Sequence, residues 1–121
     1  MTPSSIVKQP FDLEERTLTF SKAVIRFCRT IKPDPVNSDL INQVVRASGS
    51  VGANYREAND ALSKKDFSHR LKITRREAKE AHFWLQLLQA AHPECNGNLN
   101  PLLQEALELK KIFSAIVEKT G

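Results

Sequence analysis

The sequence is poor in the residues that punctuate or staple a chain. Its 121 residues include four glycines, two cysteines, one tyrosine and one tryptophan. Cys28 falls inside a predicted helix and Cys95 in a predicted loop; two such cysteines make no disulfide framework and read as free thiols. There is no glycine-rich phosphate loop, no nucleophile elbow and no Cys-x-x-Cys. Gly49 and Gly52 lack the strand-then-helix setting of a dinucleotide fingerprint. No apolar run approaches the ~20 residues that span a bilayer. The opening "MTPSSIVKQPFD" has no apolar h-region of a secretory signal. A cytoplasmic protein that engages no membrane is expected. Strand alternation, internal repeats and low-complexity segments are also missing.

What remains is helical. Hydrophobic residues make up 40% and charged residues 26%, the balance of a single globular domain with a modest core. Four amphipathic segments are separated by three breaks. The first, from about Asp12 to Ile31, carries its apolar stripe at Leu13, Thr17, Phe20, Val24, Phe27 and Ile31. "KPDPVN" ends it, since two prolines within three residues cannot continue a helix. The second begins with Asn37 or Ser38 as N-cap and runs its stripe through Ile41, Val44, Ser48, Val51, Tyr55, Ala58 and Leu62. The third is capped by Ser63, with Asp66 in its first turn, and reaches about His92 along Phe67, Leu71, Thr74, Ala78, Ala81, Leu85 and Leu88. "HPECNGNLNP" breaks it. Asn100 and Pro101 form an N-cap and N1 pair for the fourth, with Leu102, Ala106, Leu109, Phe113 and Ile116 on its core face. The prediction is an all-α, up-down-up-down antiparallel four-helix bundle over residues 11–121, preceded by a loose N-terminal arm over 1–10.

The second helix holds "SGSVGANYREAND", a run of poor helix formers in the middle of the core rhythm. Counting outward from the tight turn near residue 63 sets Ser48 and Gly52 of helix two opposite Ala78 and Thr74 of helix three. Small residues then meet across the seam and the backbones approach closely. The same register pairs Glu57 with Arg70.

The net charge of +4 is unevenly placed. Residues 63–92 contain seven Lys or Arg and three acids, so this segment alone carries it. One flank of helix three reads Lys64, Ser68, Lys72, Arg75, Lys79, His82 and Gln86, a ridge that can follow phosphates. No aromatic interleaves with that flank, which argues against base stacking. The bland reading is a solvated face with charges partly paired, for example Arg76 with Glu80. The opposite flank is apolar towards its end: Ile73, Phe83, Trp84 and Leu87 form a second hydrophobic surface, read either as a subunit contact or as closure of the bundle end. His69, His82 and His92 share no helix face. One Asp-x-x-His, Asp66 with His69, falls short of the two Glu-x-x-His units and two further glutamates of a di-iron bundle. No metal, cofactor or enzyme activity is expected.

Three strings, "FDLEERTLTFSKAVIRFCR", "SGSVGANYREAND" and "SKKDFSHRLKITRREAKEAHFWLQLL", together resemble the four-helix-bundle family of the 23S rRNA-intervening-sequence proteins, from about residue 11 to 120. A more distant similarity is to the basic accessory protein of diversity-generating retroelements. The resemblance implies a small bundle that assembles as a homo-oligomer, a pentamer in several relatives, and a non-enzymatic bacterial protein with no catalytic residue to carry over. Two functions are then expected. One is binding of RNA or DNA phosphates through Lys65, Lys72, Arg75, Arg76 and Lys79. The alternative is a protein-interaction scaffold that binds a protein partner and no nucleic acid.

Overall fold

The computed structural model describes residues 10–120, which form four α-helices and one short 3-10 turn. Helix α1 spans Pro10–Cys28, α2 Pro35–Asn59, α3 Lys64–Ala91 and α4 Asn96–Thr120. Successive helices run antiparallel and pack on one another, and α1 closes the bundle against α4. The arm expected over residues 1–10 lies outside the described residues except for Pro10, which already belongs to α1. No described helix is long and apolar enough to cross a membrane.

Each helix is built as its stripe dictates. Val24, Val44, Val51, Leu71, Ala78, Ala81, Leu85, Leu88, Leu109 and Phe113 are fully buried along the bundle axis. Tyr55 of α2 meets Phe113 of α4 with ring centroids 5.3 Å apart and planes tilted by 46°, a geometry that favours aromatic pairs beyond their buried area. Burial also pushes the Tyr55 hydroxyl above its ordinary pKa. At the C-terminal end of α4 the core position is Val117; Ile116 is only partly buried.

The helix ends show where local rules held and where packing overrode them. Ser63 caps α3 as expected, its hydroxyl accepting from the Asp66 N–H at 3.0 Å. The cap of α2 is Asp34, not Asn37 or Ser38. Its carboxylate accepts from the Asn37 N–H at 2.8 Å, and Pro35 occupies the first helical position, where the missing N–H costs nothing. Asn37 is instead buried and cross-links the loops. Its amide nitrogen donates to the Lys32 carbonyl (2.8 Å) and its oxygen lies 2.6 Å from His92 Nε2. Helix α1 stops at Cys28, before Ile31, in a tightened turn where the Thr30 N–H reaches the Phe27 carbonyl at 2.9 Å. Leu62 is 100% exposed rather than in the core, because α2 ends at Asn59 and the chain leaves the helical register.

Helix α4 starts at Asn96, four residues before the expected Asn100–Pro101 pair, and Pro101 sits inside it. The reason is Leu99, which is fully buried: winding the preceding turn into the helix puts this side chain in the core. Asn100 spends its side chain on α3, accepting from Gln89 Nε2 at 2.8 Å. The hydrogen bond Pro101 cannot make would have gone to the Gly97 carbonyl, and Gly97 is exposed, so water can satisfy it.

The glycine-rich stretch is helical throughout, but Gly52 opens a different seam from the one expected. A Cβ at Gly52 would lie 3.0 Å from Thr17 Oγ1 and 3.4 Å from Thr17 Cβ, so the close approach is to α1 rather than to Thr74 of α3. A Cβ at Gly49 would sit 3.8 Å from the Ser21 hydroxyl on the same side. Ser48, Thr74 and Ala78 are fully buried. The two hydroxyls fold back on their own helices, Ser48 to the Val45 carbonyl (3.2 Å) and Thr74 to the Arg70 carbonyl (2.9 Å), so no polar group is stranded there.

Candidate nucleic-acid interface

The basic flank of α3 faces α4, and the two helices enclose a groove between them. Lys72, Arg75, Arg76 and Lys79 form one wall; Lys110 and Ser114 of α4 form the other, around a volume of ≈ 450 Å³. Lys72 also lines the adjoining depression, with Lys65, Ser68, His69 and Thr120. Five of these cations were identified on helix three from the sequence; Lys110 was not. Its signal was present in "LELKKIF", one residue past the core Leu109. No local rule says which neighbouring helix a lysine beside an apolar face will meet.

The groove is positive because the nearby acids are used elsewhere. Arg46 of α2 takes both Glu80 (2.9 Å) and Glu77 (3.4 Å) of α3. Glu80 is therefore not the partner of Arg76, as i,i+4 spacing suggested; it turns to the α2 side. Glu77 is only 8% exposed, so its charge is screened less than that of a surface carboxylate. Arg16 forms a two-pronged pair with Glu105 (2.7 and 2.9 Å) between α1 and α4, and Glu14 lies 3.7 Å from Arg56 between α1 and α2. Glu57 is exposed and makes no ion pair with Arg70 among the described residues. Among those residues Lys65, Lys72, Arg75, Arg76, Lys79 and Lys110 likewise have no carboxylate within ion-pair distance. Five cations around one concavity, with Lys65 in the depression beside it, raise the local positive potential further than the same charges scattered over the surface would. His82, next along the flank, has its pKa lowered by burial and by the charge of Lys110.

The second surface of α3 is partly open. Phe83 is 51% and Leu87 37% exposed, while Trp84 is half-buried against the core and Ile73 is partly buried. The Trp84 ring meets Phe83 edge-on, centroids 5.2 Å apart at 75°. Trp84 thus helps close the bundle and at the same time supports an aromatic ring that faces outward. No group of three His, Cys, Asp or Glu side chains is arranged to hold a metal ion among the described residues. His92, partnered by Asn37 and Glu94, is taken up by the loops at the other end.

The residues that make this bundle match the family model described as 23S rRNA-intervening sequence protein over positions 11–115. The chain belongs to this family. Its fold agrees with a solved structure titled as a protein with unknown function from the S23 ribosomal protein family of Bacteroides thetaiotaomicron. The TM-score is 0.77 at 26% identity, over 86% of this chain and 96% of that one. Comparison with curated proteins returns no match. The α3–α4 groove of this intervening-sequence family member is built almost entirely from residues inside the matched region, with only Thr120 beyond it.

Proposed function

We propose that this member of the intervening-sequence family is a non-enzymatic protein that binds the phosphate backbone of RNA or DNA in the α3–α4 groove. One observation carries the reading: Lys72, Arg75, Arg76, Lys79 and Lys110 line that groove and Lys65 the depression beside it, while Glu77 and Glu80 are drawn to Arg46 of α2 and Glu105 to Arg16 of α1. Cations without protein partners can displace the counterions condensed on a nucleic acid, and the released ions drive binding. The groove hydroxyls of Ser68 and Ser114 suit phosphate oxygens as well. The family's description makes 23S rRNA the first RNA to try. The test is fluorescence anisotropy of labelled RNA and DNA from low to physiological salt, with Arg75→Glu/Arg76→Glu as the variant. Steep weakening with salt, and loss in the variant, supports the reading. No binding at low salt refutes it.

A second reading is favoured by the open apolar face of α3. An interaction scaffold that binds no nucleic acid would offer Ile73, Phe83, Trp84 and Leu87 to a protein partner or to another copy of the chain. Nucleic-acid binding separates the two: a protein that assembles in sedimentation, loses assembly on Phe83→Ala or Leu87→Ala, and binds neither RNA nor DNA at low salt supports the scaffold.

A further inference from the structure

The sequence pattern alone set the aromatic residues of α3 apart from the basic flank. In the fold, both groove depressions reach beyond that flank to His69 and Arg76. These belong to the outward stripe of α3, which reads His69, Lys72, Arg76, Lys79, Phe83 at strict 3-4-3-4 spacing. Flat π groups therefore alternate with lysines. His69, Arg76 and Phe83 stand seven residues apart, or ~10.5 Å of helix rise from one to the next. Lys72 and Lys79 lie between them, each three or four residues from a flat group and so beside it on the helix surface. All three flat side chains are exposed. Phe83 has 51% of its surface open, and Trp84 braces its ring edge-on at 5.2 Å. Such a ring costs little further ordering when something stacks on it.

We propose, resting on the phosphate-binding reading above, that the groove takes single-stranded nucleic acid, RNA or DNA, in preference to duplex. The lysines and both arginines neutralise phosphates, while unpaired bases stack on the flat face of the Arg76 guanidinium, on the His69 ring and, one turn past the groove lining, on Phe83. Duplex keeps its bases inside the helix and offers these groups only backbone, whereas a single strand presents a π-face at every nucleotide. Stacking of this kind tolerates any sequence. The groove lining has no Asn or Gln to read adenine edges and no carboxylate to read cytosine.

The experiment uses the full chain and two probes: a short fluorescein-labelled RNA of mixed sequence, single-stranded, and the blunt duplex of the same sequence, both at one low salt concentration. Phe83→Ala and Arg76→Lys, which keeps the charge but removes the flat group, are compared with the parent. Phe83→Tyr serves as the conservative rescue. Loss of one stacked base is expected to weaken single-strand binding at least about fivefold for each variant, with duplex binding unchanged. Phe83→Tyr should bind like the parent, and none of the three should alter the salt slope by as much as one phosphate contact. Trp84, the single tryptophan, supplies an internal reporter: a base on Phe83 should change its emission with the single strand and not with the duplex. Equal binding of both probes, with Phe83→Ala and Arg76→Lys indistinguishable from the parent, overturns stacking and leaves phosphate binding standing. Absence of binding by either probe overturns both. A sedimentation coefficient that falls in Phe83→Ala assigns the ring to a subunit contact and also overturns the proposal.

Discussion

Reversing two charges in the groove has an effect that can be worked out in advance. Six cations beside the α3–α4 groove have no protein partner among the described residues. If each neutralises one phosphate, the logarithm of the single-strand binding constant should fall with the logarithm of salt at about −0.7 per contact, a slope near −4. Raising salt fourfold, from about 50 to 200 mM, would then weaken binding a few hundredfold. Arg75→Glu/Arg76→Glu removes two contacts, so the slope should relax to about −3, and the new carboxylates should repel the strand further. Neither arginine is buried or ion-paired, so thermal unfolding should be unchanged. Anisotropy titrations of parent and variant at four or more salt concentrations give both slopes. A parent slope shallower than about −1 refutes the argument, because the cations would then be solvated and idle. So does a variant that keeps the parent's slope, because the contacts would lie elsewhere.

Other outcomes follow from the packing. Gly52→Leu should overpack the α1–α2 seam and lower stability by about 1–3 kcal/mol in urea unfolding. Thr17→Ala should recover part of the loss for Gly52→Ala, whose new Cβ meets Thr17 Oγ1 at 3.0 Å; Thr74→Ala should recover none. Phe113→Ala should cost about 3–5 kcal/mol, since it leaves a cavity at the fully buried centre of the bundle and removes the Tyr55 ring contact. His92→Ala should cost about 1–3 kcal/mol in chemical unfolding, because it takes a partner from the Asn37 amide oxygen and Asn37 is only 5% exposed. Burial pushes the Cys28 thiol up to about 11. The unfolded chain ionises this thiol near 9 and the folded one does not, so the native state holds more protons in that window and stability should fall as pH rises through it. In the native protein at mildly alkaline pH iodoacetamide should label Cys95 and spare Cys28 until denaturant is added.

Much of this molecule is determined one helix at a time. Apolar periodicity alone picks out the four core stripes, because a 3.6-residue period puts i, i+3, i+4 and i+7 on one face whatever lies opposite. Ser63 with Asp66 three residues on marks the start of α3 for an equally local reason. The family, too, could be recognised from strings that lie largely within single helices. What crosses between helices could not be read that way. An aspartate or asparagine before proline marks a helix start in two places, and packing made the choice. Asp34–Pro35 begins α2, while burial of Leu99 carried α4 back past Asn100–Pro101. Periodicity says that Gly52 is near the core but not which helix approaches it, and the rotation of α2 turned it towards Thr17. The same holds for the candidate site. The charge of α3 was visible as a run of lysines and arginines. The way α2 draws off Glu77 and Glu80, the arrival of Lys110 from α4, and the reach of the groove to His69 and Arg76 depend on where whole helices sit. A side chain's face is set by its own helix, but its partners are set by the rotation and offset of the neighbouring helices, and those are decided only when the whole core packs at once.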